Sequence, residues 1–262
     1  MLKKYGKSRK TCDPLSIFVF FVDKNINTVM PISWLNPMLL EFPDPETVDS
    51  DGIIAVGGDM TPERLLEAYK NGIFPWYNID YEPILWWSPD PRMILFPDEL
   101  KVSKSMRPLF NQKKFTVTYN QHFAQVMRNC MNQTREGQMG SWINDDMIIA
   151  YIKLHQWGFA HSVEVWEGET LVGGLYGISW GRIFFGESMF AYKSNASKFG
   201  FISLVQKLKS LGFQLIDCQQ ETTHLTSLGG KVIPRSEFLH IINSNKNEGH
   251  LLQNIDLNSM IL

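Results

Sequence analysis

The stretch of residues 173–190 constrains the fold of this chain more than any other part of the sequence. Two apolar, aromatic-rich runs flank Trp180-Gly181 within it, which is the composition expected of β-strands joined by a tight turn. The second run contains Glu187 between Phe185 and Met189. A carboxylate in such apolar surroundings is costly to bury unless it has a partner or a purpose. We therefore predict a buried β-hairpin that presents Glu187 as a site residue; the alternative is a strand-end glutamate that is ion-paired or solvated.

The order of strand-like and helical patterns along the chain predicts an α/β (α+β) fold. Alternation at period two marks strands at 115–119 and 161–166, and a further strand is expected at 213–219. Runs closed by a glycine mark helices at 145–157 and 197–211, the second with apolar residues at helical spacing. Strands and helices in this order are typical of a mixed sheet with helices on its faces.

Residues 34–92 are dense in proline and glycine, which predicts a small, loop-rich α+β N-terminal domain. This domain contains a short helix that Thr61 can cap and Gly72 can end. The apolar stripe of the helix consists of Leu65, Leu66 and Tyr69. A helix this short is marginal alone in water, so we expect it to dock under the aromatic segments that follow.

The rest of the chain divides into a larger domain and two ends. Residues 93–250 form the larger domain in this interpretation. Residues 1–33 are a leader without clear periodicity, for which a signal peptide is the alternative, and the start of the protein is open between Met1 and Met30. The polar, Asn-rich end of the chain from Asn243, which includes the tail 251–262, is expected to fray.

Charge, cysteine content and the length of the apolar runs argue against a strongly basic nucleic-acid-binding protein, a structural zinc site and a membrane-spanning protein. With 25 Lys and Arg against 27 Asp and Glu the net charge is −2, so any nucleic-acid contact needs a local basic patch. The three cysteines are far apart and form no Cys-x-x-Cys motif, which predicts a reducing, cytoplasmic setting without structural zinc, and no nucleotide-binding motif indicates another cofactor. The apolar run at 17–22 is far shorter than the roughly 18 residues of a membrane span. We expect a monomer that does not enter a membrane.

The predicted strand at 213–219 holds a second set of candidate residues. Successive side chains of a strand alternate between its faces, so Asp217 and Gln219 are expected on one face and Ile216 and Cys218 on the other. Aspartate is depleted in strand interiors, and one in an apolar run is at a strand end, is capped by hydrogen bonds, or is functional. We predict that Asp217 and Gln219 project together, but the sequence does not show whether they meet Glu187.

Several long sequence blocks occur in a fixed order and carry a resemblance to a known family. They are Gly57-Gly58-Asp59, Gly72-Ile73-Phe74-Pro75-Trp76, Trp86-Trp87-Ser88-Pro89-Asp90-Pro91-Arg92, Gly186-Glu187-Ser188-Met189-Phe190 and Leu215-Ile216-Asp217-Cys218-Gln219. Together they resemble the leucyl/phenylalanyl-tRNA–protein transferase family from about Phe42 to about Asn243. The resemblance implies an aminoacyltransferase that moves leucine, phenylalanine or methionine from tRNA to proteins with an N-terminal arginine or lysine and marks them for degradation. It also implies a larger domain similar to the N-acetyltransferase fold.

The same resemblance implies roles for individual residues. Asp217 and Gln219 are the implied catalytic pair and Glu187 lies in the acceptor site, with the roles of the two acids exchangeable. Trp76 and Trp142 match the aromatic positions near the 3′ adenosine of the tRNA, and core packing is their alternative. The chemistry agrees, because an aminoacyl ester is already activated and its transfer needs neither ATP nor a metal.

Two further sets of residues are candidates for binding the donor tRNA. Apolar positions on the hairpin, the long helix and the 213–219 strand are expected to form a slot for the amino-acid side chain, with core packing as the alternative: Leu175, Phe184, Phe201, Leu204 and Ile216. Basic residues after the N-terminal domain are expected to contact acceptor-stem phosphates, with a solvated surface as the alternative: Lys101, Lys104, Arg107, Lys113 and Lys114.

Two other functions remain open from the sequence. An acetyl-CoA-dependent N-acetyltransferase would need a glycine-rich pyrophosphate loop before the long helix. Residues 195–200 are Asn-Ala-Ser-Lys-Phe-Gly, which is too poor in glycine for backbone amides to wrap a diphosphate closely. A non-catalytic reader of basic N-termini would keep Glu187 and Asp217 as an acidic pocket. A turnover assay separates this reader from an enzyme.

Overall fold

The computed structural model describes residues 32–48, 52–77, 83–133, 143–248, 251–253 and 255–259. Within these residues the strands are β1 Ser33–Leu35, β2 Ile53–Gly57, β3 Phe74–Pro75, β4 Leu85–Trp87, β5 Arg92–Leu95, β6 Thr116–Tyr119, β7 Ala160–Glu167, β8 Thr170–Trp180, β9 Ile183–Ala191, β10 Leu215–Gln219 and β11 Lys231–Ile233. The α-helices are α1 Pro62–Lys70, α2 Arg107–Asn111, α3 Phe123–Met131, α4 Asp145–Gln156, α5 Ala196–Ser210, α6 Thr223–Ser227 and α7 Arg235–Asn245.

The N-terminal part of the chain forms a small sheet in the order β1-β2-β4-β3, beside which lies α1. The predicted boundaries of α1 are confirmed, because the Thr61 side chain accepts a hydrogen bond from the Arg64 amide and Gly72 has a φ of +70°. The predicted apolar stripe of α1 is also confirmed, since Leu65, Leu66 and Tyr69 are buried. Strand β1 begins at Ser33, whereas Met30 and most of the leader lie outside the described residues.

The larger sheet has the strand order β11-β5-β10-β9-β8-β7-β6. Its centre is the predicted hairpin, β8 and β9, which turns at Gly181 with a φ of +54°. Strand β10 runs parallel to β9, and the other neighbours described in this sheet are antiparallel. The prediction of a mixed α/β fold with a small N-terminal domain is therefore confirmed.

Two hydrophobic cores lie on opposite faces of the larger sheet. Tyr176 and Phe185 belong to the core that also includes α1, α3 and α4, whereas their neighbours Leu175 and Phe184 belong to the core under α5. Because adjacent residues of a strand point to opposite faces, this division places one core on each side. The first core spans both sheets, so the N-terminal domain packs directly against the hairpin.

The end of the chain packs against the larger sheet, and the expectation that it frays is wrong for the buried Asn245, which ends α7, and for the described residues 251–253 and 255–259. Leu252 and Leu257 are buried in the core under α5. The Asn258 side chain accepts from the Tyr119 amide at 2.8 Å and donates to the Tyr119 carbonyl at 2.9 Å. These contacts satisfy backbone groups at the edge strand β6, which explains why a polar segment is held in place. In the described part of the chain, no helix combines the length and apolar character that a membrane crossing needs.

Candidate active site

The site lies where the parallel strands β9 and β10 separate. Their pairing ends at Phe185 and Asp217, while β9 continues beside β8 as far as Ala191. The register of β8 and β9 shifts at this point, so that Glu187 falls between the paired residues Gly186 and Ser188. A bulge of this kind redirects a side chain that regular pleating would send elsewhere.

A cavity of about 610 Å³ opens beside the separated strands. Apolar side chains form much of its wall, including Trp76, Leu175, Phe184, Met189 and Phe201. Polar side chains are concentrated where β9 and β10 part and in the segment that follows β10, and they include Glu187, Ser188, Gln219, Gln220, Thr222 and His224. The cavity therefore combines an apolar slot with one carboxylate, which can accommodate a ligand that has both apolar and cationic parts.

Both carboxylate oxygens of Glu187 accept hydrogen bonds. The Gln219 side chain donates to Oε1 at 3.0 Å, and the Tyr151 hydroxyl donates to Oε2 at 3.2 Å. Burial raises the pKa of Glu187 to about 7, and the negative charge of Asp217 adds to this rise. Hydrogen bonds from the Tyr69 and Tyr151 hydroxyls lower the same pKa. Glu187 therefore changes its charge close to neutral pH.

Asp217 is fully buried and does not line the cavity. Its two oxygens accept from Nε and Nη2 of Arg92 at 2.8 and 2.7 Å, and Oδ1 also accepts from the Gln219 amide at 2.9 Å. The Arg92 guanidinium lies between the rings of Phe74 and Phe238, 4.8 and 4.4 Å from their centroids. Asp217 thus connects a fixed arginine to the backbone of Gln219.

The strict alternation predicted for the 213–219 strand is wrong at its end. Register shifts between Asp217 and Gln219, and Gln219 has a φ of +63°. As a result Cys218 and Gln219 both line the cavity, whereas Asp217 lies behind it. The left-handed backbone of Gln219 is unusual for a residue other than glycine, and the hydrogen bond of its amide to Asp217 holds this conformation.

Comparison with known proteins identifies the family of the chain. The family model described as leucyl/phenylalanyl-tRNA protein transferase matches residues 94–243, and the model of the N-terminal domain of that transferase matches residues 58–90. A leucyl/phenylalanyl-tRNA–protein transferase of Christiangramia forsetii is 57% identical over 211 residues, which cover 80% of this chain and 99% of that protein. One of Flavobacterium johnsoniae is 56% identical over 205 residues, covering 78% of this chain and 96% of that protein. This chain belongs to the leucyl/phenylalanyl-tRNA–protein transferase family.

Members of this family are aminoacyltransferases, so the chain is an enzyme that takes a tRNA and a protein as substrates. A comparison of structures matches a GCN5-related N-acetyltransferase from Kribbella flavida with a TM-score of 0.32 and 8% identity, covering 65% of this chain and 59% of that protein. A score this low carries no argument about the site.

The structure brings together most of the residues that the family resemblance singled out. Glu187, Gln219 and Trp76 line the cavity, together with three of the predicted slot residues, Leu175, Phe184 and Phe201. All five predicted slot residues are buried in the core under α5, but Leu204 and Ile216 do not line the cavity. Trp142 lies outside the described residues.

The five basic candidates lie in and around α2, apart from the cavity lining. Each has an exposed side chain: Lys101, Lys104, Arg107, Lys113 and Lys114. Lys114 is 3.6 Å from Glu167, so part of its charge is already paired within the protein. The exposed side chains in this segment are available to a polyanion at the surface.

The sequence did not single out three residues that hold the predicted acids, two by direct hydrogen bonds and one through Tyr151. Tyr151 reaches Glu187 from α4, Tyr69 reaches Tyr151 from α1, and Arg92 reaches Asp217 from β5. Tyr69 was predicted only as part of an apolar stripe, and Arg92 only as part of a sequence block. The one available signal was the position of Arg92 at the start of an apolar strand, where an unpaired charge would be costly.

Proposed function

We propose that this transferase moves leucine, phenylalanine or methionine from aminoacyl-tRNA to the N-terminal arginine or lysine of proteins in the cytoplasm and so marks them for degradation. The observation that carries this proposal is the cavity between β9 and β10, in which an apolar slot and the Glu187 carboxylate share one wall. The slot suits the donor side chain, and the carboxylate suits a cationic acceptor.

The donor side chain fits the apolar part of the cavity. Phe184 and Phe201 offer flat apolar surfaces, and Met189 has a flexible side chain that can adapt to ligands of different shape. Leucine, phenylalanine and methionine are unbranched at Cβ and enter such a slot, whereas valine and isoleucine place a methyl group against its wall. Trp76 lines the same cavity and provides a surface on which the terminal adenine stacks.

The acceptor meets Glu187 and Gln219. Glu187 supplies negative charge for the cationic side chain of arginine or lysine. Gln219 uses its amide nitrogen to bond Glu187, which leaves the amide oxygen to accept a hydrogen bond from the attacking α-amine. Asp217 lies outside the cavity wall and holds Gln219 in place by accepting a hydrogen bond from its backbone amide. Both carboxylate oxygens of Asp217 also accept hydrogen bonds from Arg92.

The transfer needs no reactant other than the aminoacyl-tRNA and the acceptor amine. The neutral α-amine attacks the ester carbonyl carbon, a carbon–nitrogen bond forms, and the bond from that carbon to the ribose oxygen breaks. The amine loses one proton and the ribose hydroxyl gains one. Because an α-amino group has a pKa of about 7.7 to 8.0, a useful fraction is neutral near pH 7, and orientation by Gln219 contributes more than proton removal.

Transfer assays test this proposal directly. Labelled leucyl-tRNA is incubated with peptides that begin with Arg, Lys or Ala, with and without ribonuclease. We expect labelled Arg and Lys peptides only, and none after ribonuclease treatment. Equal labelling of the Ala peptide would show that Glu187 does not select the acceptor, and labelling that survives ribonuclease would exclude tRNA as the donor.

A further inference from the structure

A chain of hydrogen bonds connects the N-terminal domain to Glu187 through two buried tyrosines. The Tyr69 hydroxyl on α1 lies 2.5 Å from the Tyr151 hydroxyl on α4, which in turn donates to Oε2 of Glu187 at 3.2 Å. Both tyrosines are fully buried, and neither lines the cavity. They therefore lie behind Glu187, away from the cavity that Glu187 lines.

The number of donors in these hydrogen bonds favours an ionised Glu187. The Tyr151 hydroxyl has one proton, which it donates to the carboxylate, so the Tyr69 hydroxyl is the donor to Tyr151. On its other oxygen Glu187 accepts from the Gln219 amide nitrogen, which is also a donor. A proton added to Glu187 would meet donors on both sides and would displace one of these hydrogen bonds.

The other charged groups near Glu187, Asp217 and Arg92, do not donate hydrogen bonds to its carboxylate in place of the tyrosines. Asp217 on β10 is an anion and disfavours a second negative charge, whereas Arg92 on β5 favours it. Arg92 directs Nε and Nη2 to Asp217, so its effect on Glu187 is indirect. The Tyr151 hydroxyl, to which Tyr69 donates, is thus the donor to the carboxylate from the protein interior, and Gln219 is the donor on the cavity side.

We propose that Tyr69 and Tyr151 are positioning residues of the transfer reaction, which orient the Glu187 carboxylate and keep it ionised so that it can bind the cationic acceptor. This inference rests on the proposed role of Glu187 in the acceptor site. Since Tyr69 belongs to α1, the packing of the N-terminal domain against the hairpin becomes part of acceptor recognition. Loss of either hydroxyl should act through the ionisation of Glu187 and not through the fold alone.

The test compares pH profiles of kcat/KM for the Arg peptide between pH 5.5 and 8.5. The variants are Tyr151→Phe and Tyr69→Phe, and Tyr119→Phe is the control because Tyr119 is a buried tyrosine of the other core. A hydrogen bond to a charged group is strong enough for Tyr151→Phe to move the acid limb upward by about one pH unit, which is about a tenfold loss at pH 6 and little loss at pH 8.5. Tyr69→Phe should move the acid limb in the same direction, and the control should not move it.

A second measurement does not depend on transfer. Nuclear magnetic resonance of carboxyl-labelled glutamate should show Glu187 titrating at higher pH in Tyr151→Phe than in the unmodified protein, with Glu187→Gln identifying the signal. An unmoved acid limb together with an unmoved titration, in an enzyme that still transfers to Arg peptides, would overturn the role of the tyrosines. Absence of transfer by the unmodified protein would instead refute the proposed function, whatever the titration shows.

Discussion

Glu187→Gln is expected to make the protein more stable in alkaline solution. Burial raises the pKa of Glu187 in the folded protein from its usual 4.5 to about 7. Because the folded-state pKa lies above the unfolded one, the contribution of this group to stability is fully present below about pH 4.5 and is lost as the pH rises through 7. Each pH unit between the two values corresponds to about 1.4 kcal/mol, so above pH 8 the ionised carboxylate costs at most about 3 kcal/mol.

The glutamine variant removes this cost and introduces a different one. Its amide oxygen can still accept from Tyr151, but its amide group brings a donor toward the amide nitrogen of Gln219. The free-energy cost of this mismatch does not depend on pH, whereas the cost of the buried carboxylate rises as Glu187 ionises. We therefore expect the stability of the variant relative to the unmodified protein to rise by about 2 to 3 kcal/mol between pH 5 and pH 8.5.

Urea unfolding at constant ionic strength measures this difference, with the fluorescence of the tryptophans as the signal. The same variant should transfer little leucine to Arg peptides at any pH, so that it gains stability as it loses function. A stability difference that stays constant with pH would refute the reasoning, because it would mean that the carboxylate of Glu187 is solvated well enough to ionise at no cost.

Three further changes are expected to have distinct effects. Asp217→Asn should destabilise the fold by about 3 kcal/mol, since it leaves the buried Arg92 charge unpaired, and should lower turnover more than donor affinity; unchanged turnover in single-turnover kinetics would remove Asp217 from the mechanism. Phe201→Ala should raise transfer of tryptophan relative to leucine by enlarging the slot, at a stability cost of about 3 to 5 kcal/mol; a fixed ratio in folded protein would assign Phe201 to the core. Replacing Lys104 and Arg107 together by alanine should weaken tRNA binding in a filter-binding assay and lower the slope of log K against log salt by the amount expected for about one to two phosphate contacts. An unchanged slope would mean that the tRNA binds elsewhere.

Local patterns in the sequence determined most of the secondary structure. The hairpin 173–190, the helix capped at Thr61 and the helix that begins near Asp145 were all predictable, because turn residues, caps and apolar periodicity act over a few residues. The resemblance of the sequence blocks also identified Glu187 and Gln219, which line the cavity. These features depend on residues that are close together in the chain.

Only the tertiary structure decided what surrounds the two acids. Arg92 and Asp217 are 125 residues apart and Tyr69 and Tyr151 are 82 apart, and no local pattern specifies such pairs. The bulge at Glu187 and the left-handed backbone at Gln219 break the alternation on which strand prediction depends, so the faces of these side chains could not be derived from spacing. The sequence by itself determined the elements and the candidate residues, whereas the separation of β9 and β10 decided which of them reach the cavity, because access depends on where neighbouring strands stop pairing.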